Sequence, residues 1–132
     1  MLTPILATDD PYQAADAFEA AGWSRIFSTP PDSGDPMACV ALSDAQVMLG
    51  TSLPQFLPEA SRPHRGAGVE FHVTVPATEI DAIFAAHKQG GAAMTDLVRQ
   101  RWGECAFHAM LAGYRFLIAA ETTDDVDVDD AG

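Results

Sequence analysis

The sequence predicts an α+β fold in which two βαβββ modules form a curved mixed sheet around a central cleft. A strand, a helix that ends at glycine, and three further strands occur in this order twice within 132 residues. The two helices have similar sequences, Asp16–Phe18 and Asp81–Phe84, and the glycines that follow them, Gly22 and Gly90, lie 68 residues apart. Because a helix covers only one face of each sheet, the other face must pack on something or enclose something, which predicts the cleft.

The first module is predicted to span residues 1–53. An apolar run with β-branched residues, Leu2–Thr8, predicts its first strand. Asp10 suits the N-cap of a helix and Pro11 its first position, and Gly22 ends that helix. Three further strands are predicted at Trp23–Thr29, Met37–Leu42 and Gln46–Ser52.

The second module, 68–122, repeats this order. Val69–Val75 predicts a strand, and Thr78 is the predicted N-cap of a helix that ends at Gly90. Three further strands are predicted at Ala92–Arg99, Glu104–Leu111 and Tyr114–Ala120.

The remaining segments are predicted to be irregular. Residues 54–67, which are rich in proline and glycine, form a loop that links the modules, so that 1–122 makes a single domain. The last residues, 123–132, are predicted to be an acidic disordered tail.

Composition and charge argue against several classes of function. With 48% hydrophobic and 20% charged residues, the chain has the composition of a globular protein. Nineteen acidic residues against seven basic ones give a formal net charge of −12, which makes nucleic acid and anionic membranes poor partners. Two cysteines are too few for a disulfide framework and no secretion signal is recognisable, so we expect a cytoplasmic protein.

Three segments of the second module carry a resemblance to a known family: Arg101–Phe107, Gly113–Phe116 and Glu121. Together with the paired modules, they resemble the C-terminal signature of the vicinal oxygen chelate superfamily. That superfamily includes glyoxalase I, extradiol dioxygenases, fosfomycin-inactivating enzymes and bleomycin-resistance proteins. The resemblance covers about residues 2–121 and departs from the family pattern at Leu111–Ala112, where the family has Asp-Pro.

The resemblance implies four metal-ligand positions, which fall here on Thr3, Leu49, Glu70 and Leu117. Only Glu70 is a strong ligand, because leucine cannot coordinate a divalent ion and a lone threonine hydroxyl is a poor ligand. A shift of one residue brings no better donor, since the neighbours of the two leucines are Met48, Gly50, Phe116 and Ile118. We therefore expect no metal and no cofactor.

Glu70 and His72 alternate with apolar residues along their predicted strand, so both are expected to point into the cleft. Three interpretations of this pair are open. The two side chains lie on a solvated face, or they bind a ligand, or they form a metal pair completed by His108 or Glu104. An anionic Glu70 in a partly desolvated pocket would favour a cationic or hydrogen-bond-donating ligand.

Aromatic and charged side chains complete the candidate site. Trp102 can stack on a flat ligand, Phe56 in the linker can act as a lid, and Arg115 shares a strand face with Leu117. Plain packing of the two aromatic residues and an outward ion pair for Arg115 are the alternatives. The predicted ligand-binding residues are Leu49, Phe56, Glu70, His72, Trp102, Phe107, Arg115 and Leu117.

Histidines are harder to place from the pattern. Phe107 and His108 point to opposite faces of their strand, and the sequence leaves open which of the two lines the cleft. His64 and His87 are expected to be exposed and without a role in the site.

The resemblance implies a metal-free small-molecule binding protein that confers antibiotic resistance by sequestering a planar and/or cationic compound. It also implies a homodimer with ligand sites between the subunits. The alternative is a metal-dependent lyase, isomerase or dioxygenase of the same superfamily, which the missing ligands make less favoured.

Overall fold

The computed structural model describes residues 1–53 and 55–121, and within them two four-stranded sheets are each covered by one helix. The first module consists of β1, Ile5–Thr8; α1, Pro11–Ala20; β2, Ser24–Ser28; β3, Ala38–Leu42; and β4, Ala45–Thr51. Its strand order is β1-β4-β3-β2, with β1 parallel to β4 and the other pairs antiparallel.

The second module has the same order of elements and the same sheet topology. It consists of β5, Glu70–Thr74; α2, Ile80–Gln89; β6, Val98–Arg99; β7, Glu104–Leu111; and β8, Tyr114–Glu121. The strand order is β5-β8-β7-β6, with β5 parallel to β8. The predicted α+β fold of paired βαβββ units is therefore confirmed.

Helix α1 begins as its sequence predicts. Oδ1 of Asp10 accepts hydrogen bonds from the backbone N–H groups of Tyr12 and Gln13, and Pro11 occupies the first turn. Gly22 follows the helix with a φ of 104°, a conformation that glycine adopts without strain. The capping residues thus position α1 across the first sheet.

The two modules share one hydrophobic core, which lies on the helix side of both sheets. Phe18 of α1 packs edge-to-face on Phe116 of β8, with ring centroids 5.8 Å apart. The two helix ends also approach closely, since a Cβ atom on Gly90 would lie only 2.5 Å from the carbonyl oxygen of Ala20. The opposite face of each sheet is therefore the one left for a ligand or a partner.

Two predicted elements of the second module differ from the structure. Only Val98–Arg99 of the predicted strand Ala92–Arg99 is a strand. The backbone N–H groups of Ala92 and Ala93 instead bond to the carbonyl of His87, which closes the end of α2, and Ala93 forms only an isolated bridge with Ala109 of β7.

The beginning of α2 is also one residue later than predicted. The N-cap is Glu79 and not Thr78, and no side chain of the N-cap residue bonds to the backbone. Burial of Ile80, rather than capping, therefore fixes the start of this helix.

Outside the two modules, Glu59–His64 forms a 3₁₀ helix within the predicted linker loop. The predicted tail, 123–132, lies outside the described residues. Neither α-helix in the described part of the chain has the length and apolar character needed to cross a membrane.

Candidate functional site

Strand alternation divides the side chains of the second sheet between two faces. Phe71, Phe107 and Phe116 point to the helix side, where they join the core. The other face carries the polar side chains. We call it the open face of the second sheet, and its residues are Glu70, His72, Thr74, Glu104, Ala106, His108, Met110, Arg115, Leu117, Ala119 and Glu121.

Glu70 is the centre of one polar group on this face. Its Oε2 atom lies 2.9 Å from Nδ1 of His108 and accepts a hydrogen bond of 3.0 Å from Arg115. Desolvation raises the pKa of Glu70, but the hydrogen bond from Arg115 and the adjacent His108 outweigh it and hold the pKa below its usual value. Glu70 is therefore an anion at neutral pH, with both contacts made by one of its two oxygens.

Glu104 is the centre of a second polar group. Its Oε1 atom lies 3.1 Å from Nε2 of His72 and accepts a hydrogen bond from the indole nitrogen of Trp102. Trp102 is 60% exposed, so its ring is accessible for stacking on a ligand. The Glu104 carboxylate thus orients both an imidazole and an indole at this end of the face.

Small and apolar residues lie between the two groups. His72, Leu117 and His108 are paired in register across β5, β8 and β7, so the two imidazoles flank the leucine. Ala106 and Ala119, also in register, lie on the same face and are fully buried beneath their neighbours. The open face therefore combines an apolar floor with polar groups on its sides, which is the usual composition of a ligand site.

The corresponding face of the first sheet is apolar. Alternation places Ile5, Cys39 and Met48 opposite the residues that contact α1. The side chain of Ile5 is exposed, and Gln46 is the one polar side chain that β1, β3 and β4 present here.

A cavity of about 350 Å³ lies where the two modules meet. Its walls come from the N-terminal residues, the start of β4 and the strand β5, which is an edge strand of its sheet. Glu70 and His72 line it, so it adjoins the open face of the second sheet.

Five of the predicted ligand-binding residues lie on or beside this open face: Glu70, His72, Trp102, Arg115 and Leu117. Arg115 is paired with Glu70, on the same face. Phe56, in the linker, is 79% exposed, so it does not form a closed lid over the site in the single chain.

Two predicted ligand contacts need correction. Leu49 is fully buried and packs in the core with α1, because the odd-numbered residues of β4 point to the helix. Phe107 is also fully buried and packs on Phe84 of α2 with ring centroids 5.1 Å apart. His108, the neighbour left open by the pattern, is the residue on the open face.

The sequence prediction gave too little weight to two histidines and one glutamate. Glu104 entered it only as completing a metal pair, and His108 only in that role or as the alternative to Phe107. Their four-residue spacing on one strand places them on the same face. His87, expected to be exposed, is fully buried and bonded to Trp23. Its helical spacing from Ile80 and Phe84 was the available signal.

No protein-family model and no curated protein matches this sequence. Solved structures match it over almost the whole chain. A member of the glyoxalase/bleomycin resistance protein/dioxygenase superfamily from Sphaerobacter thermophilus is 18% identical, with a TM-score of 0.62 over 90% of this chain and 94% of its own. This chain has the fold of that superfamily. The predicted resemblance to vicinal oxygen chelate proteins is thus confirmed for the fold.

Two further structures with the glyoxalase fold are similar. TioX from Micromonospora sp. ML1 is 19% identical, with a TM-score of 0.65, and the match covers 96% of this chain and 99% of TioX. A mutant of the fosfomycin resistance protein FosX from Listeria monocytogenes, complexed with Mn(II) and 1S,2S-dihydroxypropylphosphonic acid, is 13% identical, with a TM-score of 0.64 over 94% of this chain and 93% of FosX.

The donor groups of this chain do not fit a metal ion of the kind that FosX holds. Within residues 1–53 and 55–121, no three His, Cys, Asp or Glu side chains are grouped closely enough to bind one. The donors on the second sheet are two separate histidine–carboxylate pairs and Glu121, which lies opposite Glu104. The open face of the first sheet contributes neither imidazole nor carboxylate.

Proposed function

We propose that this protein binds a small organic compound on the open face of the second sheet and holds it without chemical change, as a resistance protein that sequesters an antibiotic would. The observation that carries the proposal is the pair of polar groups around Glu70 and Glu104, which face each other across an apolar floor. Each imidazole uses one ring nitrogen for its carboxylate, so the other nitrogen can bond to a ligand.

Trp102 and Leu117 supply the apolar part of the site. An exposed indole fixed by a hydrogen bond offers a rigid surface for a flat ring system, at little cost in side-chain entropy. Leu117, between the two imidazoles, gives such a ring a surface to cover. These features support a planar ligand, and the anionic Glu70 supports one that donates hydrogen bonds or carries positive charge.

A second copy of the chain completes this site in our proposal. The open face of the second sheet is half-exposed in the single chain, and the open face of the first sheet presents Ile5, which is 62% exposed. Exposed apolar surface of this kind marks an interface. In a two-fold dimer, the apolar face of one copy would cover the polar face of the other and exclude water from two equivalent sites.

The proposal is tested by titrating Trp102 fluorescence with bleomycin and with a panel of flat cationic antibiotics. We expect saturable quenching that the Trp102→Phe variant loses, and the compound recovered with unchanged mass. The variants His72→Ala and His108→Ala should each weaken binding by about tenfold, the value of one lost hydrogen bond. His64→Ala is the matched control and should bind normally.

A product of altered mass in the same experiment would favour the alternative, a metal-dependent lyase, isomerase or dioxygenase. The similarity of the fold to Mn(II)-bound FosX is the observation that keeps this alternative in view. Quenching that survives the Trp102→Phe substitution, or equal binding by the two histidine variants and their control, would contradict a site on this face.

A further inference from the structure

The cavity between the modules has the size of a small-molecule site. Its volume of about 350 Å³ falls within the range of ligand pockets, roughly 300–1,000 Å³. It lies at the edge of β5, beside the open face and not on it, because its walls include Phe71 and Val73 from the helix side of that strand.

The lining of this cavity is mostly apolar. The apolar side chains include Leu2, Pro4, Ala45, Val47, Phe71 and Phe116. The ionisable side chains among the described lining residues are Asp44, Glu70 and His72. These residues include no Lys or Arg, and the two carboxylates outnumber the one cationic group that they do include, the α-amino group of Met1. The negative balance favours a cation over an anion.

Glu70 connects the cavity to the open face. The hydrogen bonds from Arg115 and His108 both end on Oε2, so that Oε1 remains as an acceptor for a further donor. The contact with Arg115 also fixes the side chain in place. An ammonium group at the mouth of the cavity would find an oriented carboxylate oxygen there.

We propose that this cavity takes the apolar ring of an aromatic amine whose protonated nitrogen binds Glu70. The inference rests on the proposed function, since Glu70 belongs to both places, and it adds the class of ligand and a second subsite. A ligand larger than the cavity would extend from it across the open face toward Trp102.

The probes for this subsite are 1-naphthylmethylamine and naphthalene-1-acetate, which share one ring system and differ in charge. Isothermal titration of the full chain should give an affinity for the amine at least about tenfold higher than for the acetate, the value of a charge-assisted hydrogen bond. Glu70→Gln should abolish this preference, because it leaves Arg115 as the only charge of that pair.

The cavity itself is tested by filling it. Ala45→Leu adds three carbon atoms at its wall and should weaken binding of the amine at least about tenfold. Ala82→Leu, the same change on the exposed side of α2, is the control. Since a filled cavity can disturb folding, Leu2→Ser offers a second variant at a highly exposed lining residue, and thermal melting verifies all three.

Equal affinities for the amine and the acetate, or an affinity that Ala45→Leu and Leu2→Ser leave unchanged, would overturn the inference. Its failure differs from failure of the proposed function. If antibiotics quench the fluorescence of Trp102 and Ala45→Leu does not change that quenching, the proposed function stands and the subsite is wrong. If the amine binds in a way that depends on Ala45 and no antibiotic quenches Trp102, the subsite stands and the proposed function is wrong.

Discussion

The indole nitrogen of Trp23 in the first module donates a hydrogen bond to Nε2 of His87 in the second, over 2.9 Å. On the other side of the imidazole, Nδ1 lies 2.7 Å from the carbonyl oxygen of Ile83. Because Nε2 accepts, the ring proton resides on Nδ1 and is donated to that carbonyl, so the imidazole is neutral. A fully buried side chain thus joins the two modules in one protonation state.

Stability should therefore depend on pH through His87. Desolvation lowers its pKa in the folded state, and the hydrogen bond to Ile83 opposes this only in part. Since the unfolded state binds the proton more readily, the contribution is fully present above the unfolded pKa of about 6.5 and is lost as pH falls below it. Urea unfolding from about pH 5 to about pH 7.5, on both sides of the unfolded pKa, should show the unfolding free energy decline as the pH falls.

The variant His87→Leu identifies the source of the decline. It should flatten the dependence of unfolding free energy on pH in that window, whereas His64→Ala, at an exposed position, should retain it. An unchanged slope in His87→Leu would mean that other groups cause the effect.

Two leucines that the sequence assigns to one cleft should behave differently. Leu49 is fully buried in the core, so Leu49→Ala should cost about 2–5 kcal/mol of unfolding free energy. Leu117 is half-buried on the open face, so Leu117→Ala should cost less and should instead weaken ligand binding. Chemical denaturation and ligand titration of both variants test this, and a binding defect confined to Leu49→Ala would refute the assignment of faces.

The close approach of the two helix ends predicts a strong effect at Gly90. Its φ of −78° suits any residue, but a Cβ atom there would lie 2.5 Å from the carbonyl oxygen of Ala20. Gly90→Ala should destabilise the protein by about 1–3 kcal/mol, the usual cost of overpacking. Gly34→Ala, where the added methyl group meets open space, is the control. Equal melting temperatures for the two variants would mean that the two helix ends are not in such close contact.

The proposed dimer predicts that a charge on the apolar face separates the subunits. Ile5→Lys should sediment as a monomer at micromolar concentration, since burying an unpaired ammonium group in an interface is costly. Val69→Lys, at an exposed position beside β5, should leave the dimer intact. If the unmodified protein is already a monomer of 14.0 kDa, the intersubunit site is wrong.

Periodicity predicted the site where polar and apolar residues alternate, and it gave no answer where they do not. Glu70 and His72 stand out on β5 because Phe71 and Val73 separate them. On β4, Val47, Met48 and Leu49 follow one another, so this part of the strand is apolar on both faces. Only the packing of α1 decides which side Leu49 occupies.

Contacts between distant segments explain what the sequence could not show. The hydrogen bond that buries His87 comes from Trp23, 64 residues earlier, and no local pattern indicates that partner. The cavity at the edge of β5 likewise depends on how the two modules meet. The fold follows from two local repeats, whereas the site depends on their relative placement.

The most direct test of the central claim is the metal dependence of ligand binding. Metal content of the purified protein is measured first, and the affinity for the best-binding compound is then compared before and after EDTA treatment. The account predicts no stoichiometric divalent metal and the same affinity in both samples. A stoichiometric metal ion whose removal abolishes binding would contradict it and would place this protein with metal-dependent enzymes of the same fold.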